Sequence, residues 1–412
     1  MSTKAVMFEQ VISRGCGIDV HKENVVVTIR GDGIKEECRT FLSFTADLLS
    51  CRNWLKEHEI THIAMESTGV YWKPVFNILE KDFEIILVNA RHIKNVPGHK
   101  TDRKDSAWIT KLLLSGLLKG SFIPPQPVRD LRDLYRYKRK LLQQGASERN
   151  RLQKILEDAN IKLSSVVSDV FGVTGRLIID ALIEGQSDPN LLANCARGSL
   201  VRKRALLSQA LHGNASFHHR YMLSASLQVL ADIDRMVKKV DQKMSEYLVS
   251  FAEEMALLQT IPGVGPQSAI AILAEIGTDM SVFPSSEHLA SWCGISPGNN
   301  ESAGKNRSGR TTQGNKFLKS ALVESAWHSC KSTGQNSFLK RKFISISSRR
   351  GKKKAVVAVA HKILIAAYFI LKNREPYQEP DNKAYMEKRK QALIKRHVQR
   401  LHELGIMVPS QL

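Results

Sequence analysis

The sequence predicts an α/β amino-terminal domain followed by all-α domains, and three observations lead to this fold class. Apolar runs of strand length alternate with helical periodicity over roughly residues 11–125, a heptad repeat occupies the middle, and a Gly-containing helical hairpin opens the last third. At 412 residues the chain exceeds the usual size of one hydrophobic core, so we expect several domains.

The first domain is predicted over residues 11–127. Runs typical of strands are CGIDV, NVVVTIRGDG, THIAMEST and FEIILVNA. Helical periodicity appears in TADLLSCRNWLKEH, GVYWKPVFNILEK and TDRKDSAWITKLLLSG. This alternation is typical of a central sheet covered by helices, and the Pro-rich FIPPQP at 122–127 marks a boundary.

The middle domain, predicted over residues 128–256, is helical and begins with the basic segment VRDLRDLYRYKRKLLQQ. Its second half carries apolar residues at the alternating three- and four-residue spacing of a coiled-coil seam. These residues are Leu230, Ile233, Val237, Val240, Met244, Tyr247 and Phe251. We expect either an antiparallel helical hairpin or a dimerising coiled coil, and residues 160–226 carry no motif that we assign.

The last domain, predicted over residues 257–375, opens with LLQTIPGVGPQSAIAILAEIG, a helix-hairpin-helix pattern. The backbone amides around Gly263 and Gly265 suit a nucleic-acid phosphate, although an ordinary helical hairpin has the same pattern. The most apolar run, 355–371, holds a histidine and a lysine near its middle, so we expect a buried helix rather than a membrane span. The tail, 376–412, is predicted to be a basic helix, either a nucleic-acid contact or a solvated charge run.

The charge balance favours a polyanionic partner. Lys and Arg number 61 against 40 Asp and Glu, which gives a net charge of +21 and a pI near 9.7. Nucleic acid is favoured over an acidic membrane, and a merely soluble basic protein is the plain alternative. The six cysteines include no C-x-x-C pair, which argues against a zinc ribbon and a disulfide framework. Without an apolar signal core, we expect a cytoplasmic, nucleoid-associated protein with no membrane partner.

Four acidic residues stand at the ends of predicted elements. Asp19 ends the first strand, Glu66 ends a later buried strand, and Asp102 and Asp105 share one face at the start of the last helix of this domain. Each alone is typical of a turn or a helix start. A carboxylate at the end of a buried strand costs free energy unless its charge is compensated. A divalent cation such as Mg²⁺, or Mn²⁺ in its place, can compensate it, because these ions prefer hard oxygen ligands. The order of the four therefore predicts a divalent-metal site that acts on phosphate.

These four acids, in their strand and helix contexts, resemble the DEDD catalytic set of RuvC-like domains with the RNase H fold. The resemblance extends over roughly residues 15–370 through GIDVHKENVVVTI, AMESTGVYW, KTDRKDSAWITKLL, LLQTIPGVGPQSA and GISPGNNESAGKNRSGRTTQGNKFLK. The chain is similar to the bacterial insertion-sequence transposases that pair such a domain with a separate C-terminal transposase domain, a group that includes pilin-gene invertases. The resemblance implies that the four acids bind the metal and are catalytic.

A loop over residues 293–315 is rich in Gly, Asn and Ser, and by itself it favours phosphate binding. Its basic residues, candidates for binding nucleic acid, are Lys305, Arg307 and Arg310. The resemblance implies a serine nucleophile in this loop, because the family's P-x-x-x-x-S-x-G-K pattern falls on residues 297–305. That pattern places the nucleophile at Ser302, with Ser308 as the second candidate.

The resemblance also implies partners. These are donor and target DNA, a non-coding bridge RNA that pairs with both, and a homo-oligomer, dimer or tetramer, whose active sites combine two subunits. Two rival functions stay open. The first is a RuvC-like nuclease that hydrolyses branched DNA with metal-activated water and uses Ser302 only for binding. The second is a non-catalytic nucleic-acid-binding protein.

Overall fold

The computed structural model describes residues 11–67, 69–88, 102–118, 120–298, 300–302, 305–308, 310–331, 337–380 and 383–403. The chain divides into two compact units, Met1–Ile123 and Pro124–Leu412. The first is mixed α/β and the second is mostly helical, which confirms the predicted combination of fold classes. The finer domain limits at residues 127, 256 and 375 stay predictions.

The first unit contains one mixed sheet. Its strands are β1 (Arg14–Val20), β2 (Asn24–Gly31), β3 (Ile34–Leu42), β4 (His62–Glu66) and β5 (Glu84–Val88). Its described helices are α1 (Thr45–Glu57), α2 (Trp72–Leu79) and α3 (Asp102–Leu114). The strand order is β3-β2-β1-β4-β5, with β1, β2 and β3 antiparallel and β4 and β5 parallel to β1. This arrangement is compatible with the RNase H-like domain that the resemblance implies.

Helices cover both faces of the sheet, so the central strands are apolar on both sides. Ile18 of β1 and Leu55 of α1 belong to the larger core on one face. On the other face, Ala64 and Val88 pack with Ile109 of α3. The sequence did not predict β3, because this edge strand is largely exposed and most of its residues are polar.

The backbone of α3 lies directly on β1 at Gly17. A Cβ atom at this position would lie 2.3 Å from the carbonyl oxygen of Ser106 and 2.5 Å from the backbone nitrogen of Thr110. Buried hydroxyls hold the contact, since Ser106 Oγ is 2.7 Å from Thr28 Oγ1 and Thr110 Oγ1 donates to the Thr28 carbonyl at 3.0 Å. Only glycine allows the helix and the strand to approach this closely.

The second unit is built from helices and one β-ribbon. Its helices are α4 (Gln126–Asp158), α5 (Leu163–Val166), α6 (Val173–Ile183), α7 (Pro189–Ala193), α8 (Arg204–Ala210), α9 (Phe217–Leu248), α10 (Ala252–Gln259), α11 (Pro266–Ile276), α12 (Ser286–Cys293), α13 (Lys316–Lys331), α14 (Phe338–Arg350), α15 (Lys352–Asn373) and α16 (Lys383–Glu403). The ribbon strands are β6 (Asn300–Ser302) and β7 (Lys305–Ser308).

Helices α4 and α9 form a long antiparallel hairpin, which confirms the first of the two arrangements that the heptad predicts. Lys138 Nζ donates to Asp241 Oδ1 at 2.5 Å near one end, and His219 Nε2 lies 2.9 Å from Asp158 Oδ2 at the other. Six of the seven heptad residues pack in one core with residues of α4, α11 and α13, and Leu230 belongs to the core at the tip of the hairpin. The seam therefore packs against α4 of the same chain. The short helices α5 to α8 close the tip of the hairpin around a second core.

The apolar run near the C-terminus forms α15. Among the described helices, it alone is long and apolar enough to cross a membrane, and 56% of its most apolar window is buried. Its fully buried residues include Val359, Ile363 and Ala367, which follow helical spacing along one side. The prediction of a buried helix is confirmed.

A buried carboxylate joins three helices of the second unit. Glu275, at the end of α11, is 0% exposed and accepts two hydrogen bonds from Arg136 of α4, at 2.8 and 2.7 Å. Asn315, which caps α13, donates to the same carboxylate at 2.5 Å. Arg132 lies 3.6 Å from it and donates to the Glu275 carbonyl at 2.7 Å. Burial lowers the pKa of Arg132 to about 10. Because this value is still well above 7, the guanidinium is charged at neutral pH.

We predict that Gly17→Ala destabilises the first unit by about 1–3 kcal/mol, because the new methyl group forces α3 away from β1. The control is Gly145→Ala, inside α4, where the nearest atoms to a Cβ lie at 3.5 Å. This control is expected to be neutral or stabilising by up to about 1 kcal/mol, since alanine favours helix. Urea unfolding measures both, and equal stabilities for the two variants would contradict the close contact.

We predict that Glu275→Ala lowers the free energy of unfolding of the second unit by about 3–5 kcal/mol, because Arg132, whose side chain is 13% exposed, loses its counter-charge. The matched control is Glu246→Ala, which removes an exposed ion pair with Lys243 and is expected to cost less than about 1 kcal/mol. Thermal unfolding of both variants tests the difference. Similar melting temperatures would show that the network does not hold these helices together.

Candidate active site

Two of the predicted carboxylates lie side by side on neighbouring strands. Strands β1 and β4 are parallel, and their register pairs Gly17 with Ala64 and Ile18 with Met65. The next position along each strand is Asp19 and Glu66. Adjacent parallel strands are about 4.8 Å apart and paired residues point to the same face. Asp19 is 7% exposed and Glu66 is half-buried, so both stand at the border of the core.

The helix that carries the other two acids covers this same face. Gly15 of β1 faces Leu113 and Leu114 of α3, and Gly17 faces Ser106 and Thr110, so the helix runs antiparallel to the strand. Because side chains alternate along a strand, the next residue on this face is Asp19. The first turn of α3 continues in that direction, and it contains both aspartates, at 102 and 105.

The side chain of Asp105 is half-buried, whereas that of Asp102 lies outside the described residues. Among the side chains that the structure describes, no three Asp, Glu, His or Cys gather closely enough to hold a metal ion. The donor chemistry nevertheless fits a hard divalent cation, since carboxylate oxygens are its preferred ligands. The register brings three of the predicted elements to one face, while the ligand set itself stays a prediction.

The sequence reasoning missed one residue of this face. His21 Nε2 lies 3.2 Å from Asp19 Oδ2, and the imidazole is partly exposed. The two residues are two positions apart, in the segment DVHKEN, and the spacing is the signal that could have identified the pair. Among the described residues, this is the one imidazole within ion-pair distance of one of the four acids.

The predicted nucleophile lies at the end of a β-ribbon in the second unit. Strands β6 and β7 are antiparallel, and Ser302 pairs with Lys305 across a two-residue connection. The predicted basic residue Arg307 and the second serine candidate, Ser308, are also in β7. Side chains of residues 299–309 lie outside the described set, so the ribbon is defined by its backbone. Sequence reasoning predicted a loop here and did not predict the ribbon.

The base of the ribbon is firmly attached to the helices. Its strands close at a bridge between Pro297 and Thr311, where the Gly298 amide donates to the Arg310 carbonyl at 2.9 Å. Lys319 of α13 donates to Thr311 Oγ1 at 2.6 Å and to the carbonyl of residue 294 at 2.9 Å. The predicted basic residue Arg310 is exposed. The Asn315 cap links this base to the Glu275 network.

The two glycines of the predicted helix-hairpin-helix have different surroundings. Gly263 has a φ of +88°, and a Cβ there would lie 2.4 Å from the Ser325 carbonyl oxygen, so this glycine serves packing against α13. At Gly265, a Cβ would meet no atom within 4 Å. Gly265 precedes α11 without a side-chain cap, and it lines an open groove of about 640 Å³. Gly263 lines the same groove, and a phosphate contact at either glycine stays a prediction.

Three buried cysteines offer no strong competitor to serine. All six are free thiols. Burial raises the pKa of Cys293, just before the ribbon, to about 12, although Lys319 partly opposes the shift. Burial likewise raises the pKa of Cys51 to about 12 and that of Cys16 well above its usual value. These three thiols are therefore protonated at neutral pH, and a thiol is a poor nucleophile compared with its thiolate.

Comparison with known proteins gives two family matches. Residues 16–161 match the DEDD transposase model of the IS110 group, and residues 255–340 match the IS116/IS110/IS902 transposase family. The first match covers the carboxylate face and the second covers the helix-hairpin-helix and the serine ribbon.

Individual proteins are similar over different lengths. The pilin gene-inverting protein of Moraxella bovis is 32% identical over 382 residues, which cover 88% of this chain and 97% of that protein. A putative transposase of Sinorhizobium fredii is 30% identical over 152 residues, 36% of this chain and 38% of its own length. The transposase for insertion sequence element IS1111A of Coxiella burnetii is 22% identical over 300 residues, 71% of this chain and 72% of its own length. The chain therefore belongs to the IS116/IS110/IS902 family of transposases.

Proposed function

We propose that this transposase cleaves and rejoins DNA through a covalent phosphoserine intermediate, with Ser302 as the nucleophile. The supporting observation is the convergence of β1, β4 and the first turn of α3 on one face, where Asp19 and Glu66 are adjacent. Asp19, Glu66, Asp102 and Asp105 would hold Mg²⁺ or Mn²⁺ there. A bound divalent cation would stabilise negative charge on the scissile phosphate as a Lewis acid.

The chemistry is two successive transesterifications. Ser302 Oγ attacks the phosphorus, a serine–phosphate bond forms, and the bond to one deoxyribose oxygen breaks. The proton lost by the serine is balanced by the proton that the departing hydroxyl gains. A hydroxyl of the new partner strand then attacks the phosphoserine and releases the serine. Because each step exchanges one phosphodiester for another, no high-energy cofactor is needed.

The ribbon supplies positive charge beside the nucleophile. Lys305 is the cross-strand partner of Ser302, and Arg307 and Arg310 follow in the same strand and at its base. These residues neutralise the phosphate as charge develops on it, which is a large contribution to phosphoryl-transfer catalysis. Lys319 and Asn315 attach the base of the ribbon to its helices.

The proposed partners are donor and target DNA and a structured bridge RNA. Base pairing by the RNA would select the sequences, while the protein binds backbone, as in other RNA-guided systems. The net charge of +21 favours binding of long stretches of DNA and RNA, because both are polyanions. The proposed homo-oligomer is a dimer or a tetramer.

One rival keeps a specific observation in its favour. The adjacent acids belong to the first unit alone, so that this unit contains the set that a hydrolytic RuvC-like nuclease needs. In that case metal-activated water attacks the phosphate and Ser302 only contributes to binding. The two functions differ in whether protein becomes covalently attached to DNA.

The decisive experiment measures covalent protein–DNA adducts in bacteria that carry the complete element. Wild type is expected to give an adduct that survives denaturation, and both Ser302→Ala and Asp19→Asn are expected to reduce it to background. Ser308→Ala, six residues away in the other ribbon strand, is the matched control and is expected to keep the adduct. In vitro, chelation of divalent cations before the reaction is expected to prevent the adduct from forming, and added Mg²⁺ is expected to restore its formation.

Other outcomes have distinct meanings. Cut DNA without an adduct in wild type would overturn the phosphoserine intermediate and favour the hydrolytic nuclease. Loss of the adduct in Ser308→Ala but not in Ser302→Ala would move the nucleophile to Ser308. Persistence of strand exchange in both Asp19→Asn and Asp102→Asn would contradict the carboxylate assignment.

The hairpin glycines provide a separate test of DNA contact. Gly265→Ala is expected to keep the fold, at a cost of up to about 1 kcal/mol for the poorer N-cap residue. It is expected to weaken binding of duplex DNA about 3- to 10-fold, because the new methyl group would keep a phosphate from one backbone amide. Gly263→Ala is expected to destabilise the second unit by about 1–3 kcal/mol, because the methyl group meets α13. Unfolding curves and equilibrium binding distinguish the two. Wild-type DNA affinity for a fully folded Gly265→Ala would remove this hairpin from the interface.

A further inference from the structure

A long segment of the second unit excludes acidic residues. Between Glu324 and Glu375 there are 50 residues with no Asp or Glu and with 12 Lys or Arg. In a chain with 40 acidic residues, one would expect about five in such a segment. The segment includes α14 and α15, and most of it lies beyond residue 340, where the second family match ends. Neither the carboxylate face nor the serine ribbon includes it.

Five of these basic residues meet at one exposed corner. Helix α14 ends at Arg350 and α15 begins at Lys352, and Gly351 between them has a φ of +81° that favours glycine. Every residue from 348 to 354 is exposed. The residues that we name the basic corner are Arg349, Arg350, Lys352, Lys353 and Lys354.

Carboxylates contact this helix pair only away from the corner. Glu379 accepts a hydrogen bond from the Phe338 amide at 2.9 Å, at the start of α14. Glu253 and Glu254 each accept one from Arg374, at 2.8 Å, just after α15. Both contacts are at the opposite end of the pair, because α14 and α15 pack antiparallel, with Phe338 beside Phe369. In the described part of the chain, no ion pair involves the basic corner.

The position of the lysines is unfavourable for the isolated protein. All three stand in the first turn of α15, where the helix dipole is positive and acidic residues are preferred. The N-cap Gly351 has no side chain to satisfy the first amides. An ordinary solvated surface mixes both signs of charge, whereas this corner concentrates one sign, and its three lysines stand where the dipole of α15 disfavours them. The arrangement is explained if an external polyanion compensates it.

The chemistry of the corner favours the backbone of a duplex. Residues 344–356, ISISSRRGKKKAV, include no aromatic side chain on which an unstacked base could lie. Phe343, the nearest aromatic in α14, packs instead against Trp327 of α13. Lys and Arg side chains that contact phosphates, without aromatic residues that stack on bases, bind double-stranded DNA independently of its sequence.

We propose that the basic corner binds the phosphate backbone of duplex DNA, as a contact separate from the ribbon and the helix-hairpin-helix. The proposal rests on the proposed function, since the duplex is taken to be the DNA that the enzyme recombines. Residues 349–354 then contribute to the affinity for duplex DNA and take no part in the chemical step.

The test compares two full-length variants with the same change in net charge. The first replaces all five residues of the basic corner by Gln. The control replaces five exposed, dispersed lysines by Gln, namely Lys35, Lys81, Lys154, Lys238 and Lys239. Affinity for a duplex of about 30 base pairs is measured over a range of salt concentrations. The corner variant is expected to bind at least about 10-fold more weakly, with a salt dependence shallower by about one unit per lost phosphate contact.

Folding and chemistry are followed separately. The melting temperature of the corner variant is expected to stay close to that of wild type, because the three lysines oppose the dipole of α15 whereas Arg349 and Arg350 favour the dipole of α14. Ser302→Ala is expected to keep full duplex affinity. If Ser302→Ala still exchanges strands, the proposed function fails while the binding result for the corner stands.

Two results would overturn the proposal. Equal affinities and salt slopes for the corner variant and the dispersed-lysine control would show that only net charge matters. Unchanged duplex binding together with weakened binding of a structured RNA hairpin would assign the corner to RNA instead.

Discussion

The contact between α3 and β1 at Gly17 determines where the acids of the first unit lie. A glycine with no Cβ lets the helix backbone rest on the strand, and the Thr28, Ser106 and Thr110 hydroxyls fix its height and rotation. Side chains alternate along β1, so the residue that follows on this face is Asp19, and the parallel register with β4 puts Glu66 beside it. A shift of β1 by one residue would turn Asp19 towards the apolar core of α1 and α2.

In the second unit, the buried carboxylate of Glu275 fixes the relative positions of the helices next to the serine ribbon. Glu275 is fully enclosed, and its desolvation is compensated by Arg136 and Asn315. Hydrophobic packing could join the same helices at lower cost, but hydrogen bonds to a carboxylate are directional and specify one arrangement. These hydrogen bonds fix the start of α13 relative to α4 and α11. The ribbon that carries Ser302 lies immediately before α13 in the chain.

Sequence reasoning succeeded where one periodicity or motif dominates. The apolar runs identified β1, β2, β4 and β5, and the heptad identified the α4–α9 hairpin, although the same spacing could not decide between partners in one chain or two. The polar edge strand β3 was not predicted, because it buries too few apolar side chains to show an alternating apolar pattern. The Glu275–Arg136 pair links residues 139 positions apart, and no local pattern encodes such a contact. The ribbon was missed because its Gly- and Asn-rich sequence is typical of loops.

The distribution of charge follows from the nature of the substrate. DNA is a polyanion, and a face with Asp19 and Glu66 side by side repels it at the place where chemistry must occur. A divalent cation would remove that repulsion locally, but it adds little attraction at a distance in physiological salt, where screening acts within about 8 Å. Attraction therefore has to come from surfaces that stay positive without a metal. The acid-free segment around residues 349–354 stays positive without a metal, and the unfavourable position of its three lysines at the start of α15 is the physical argument for a binding role.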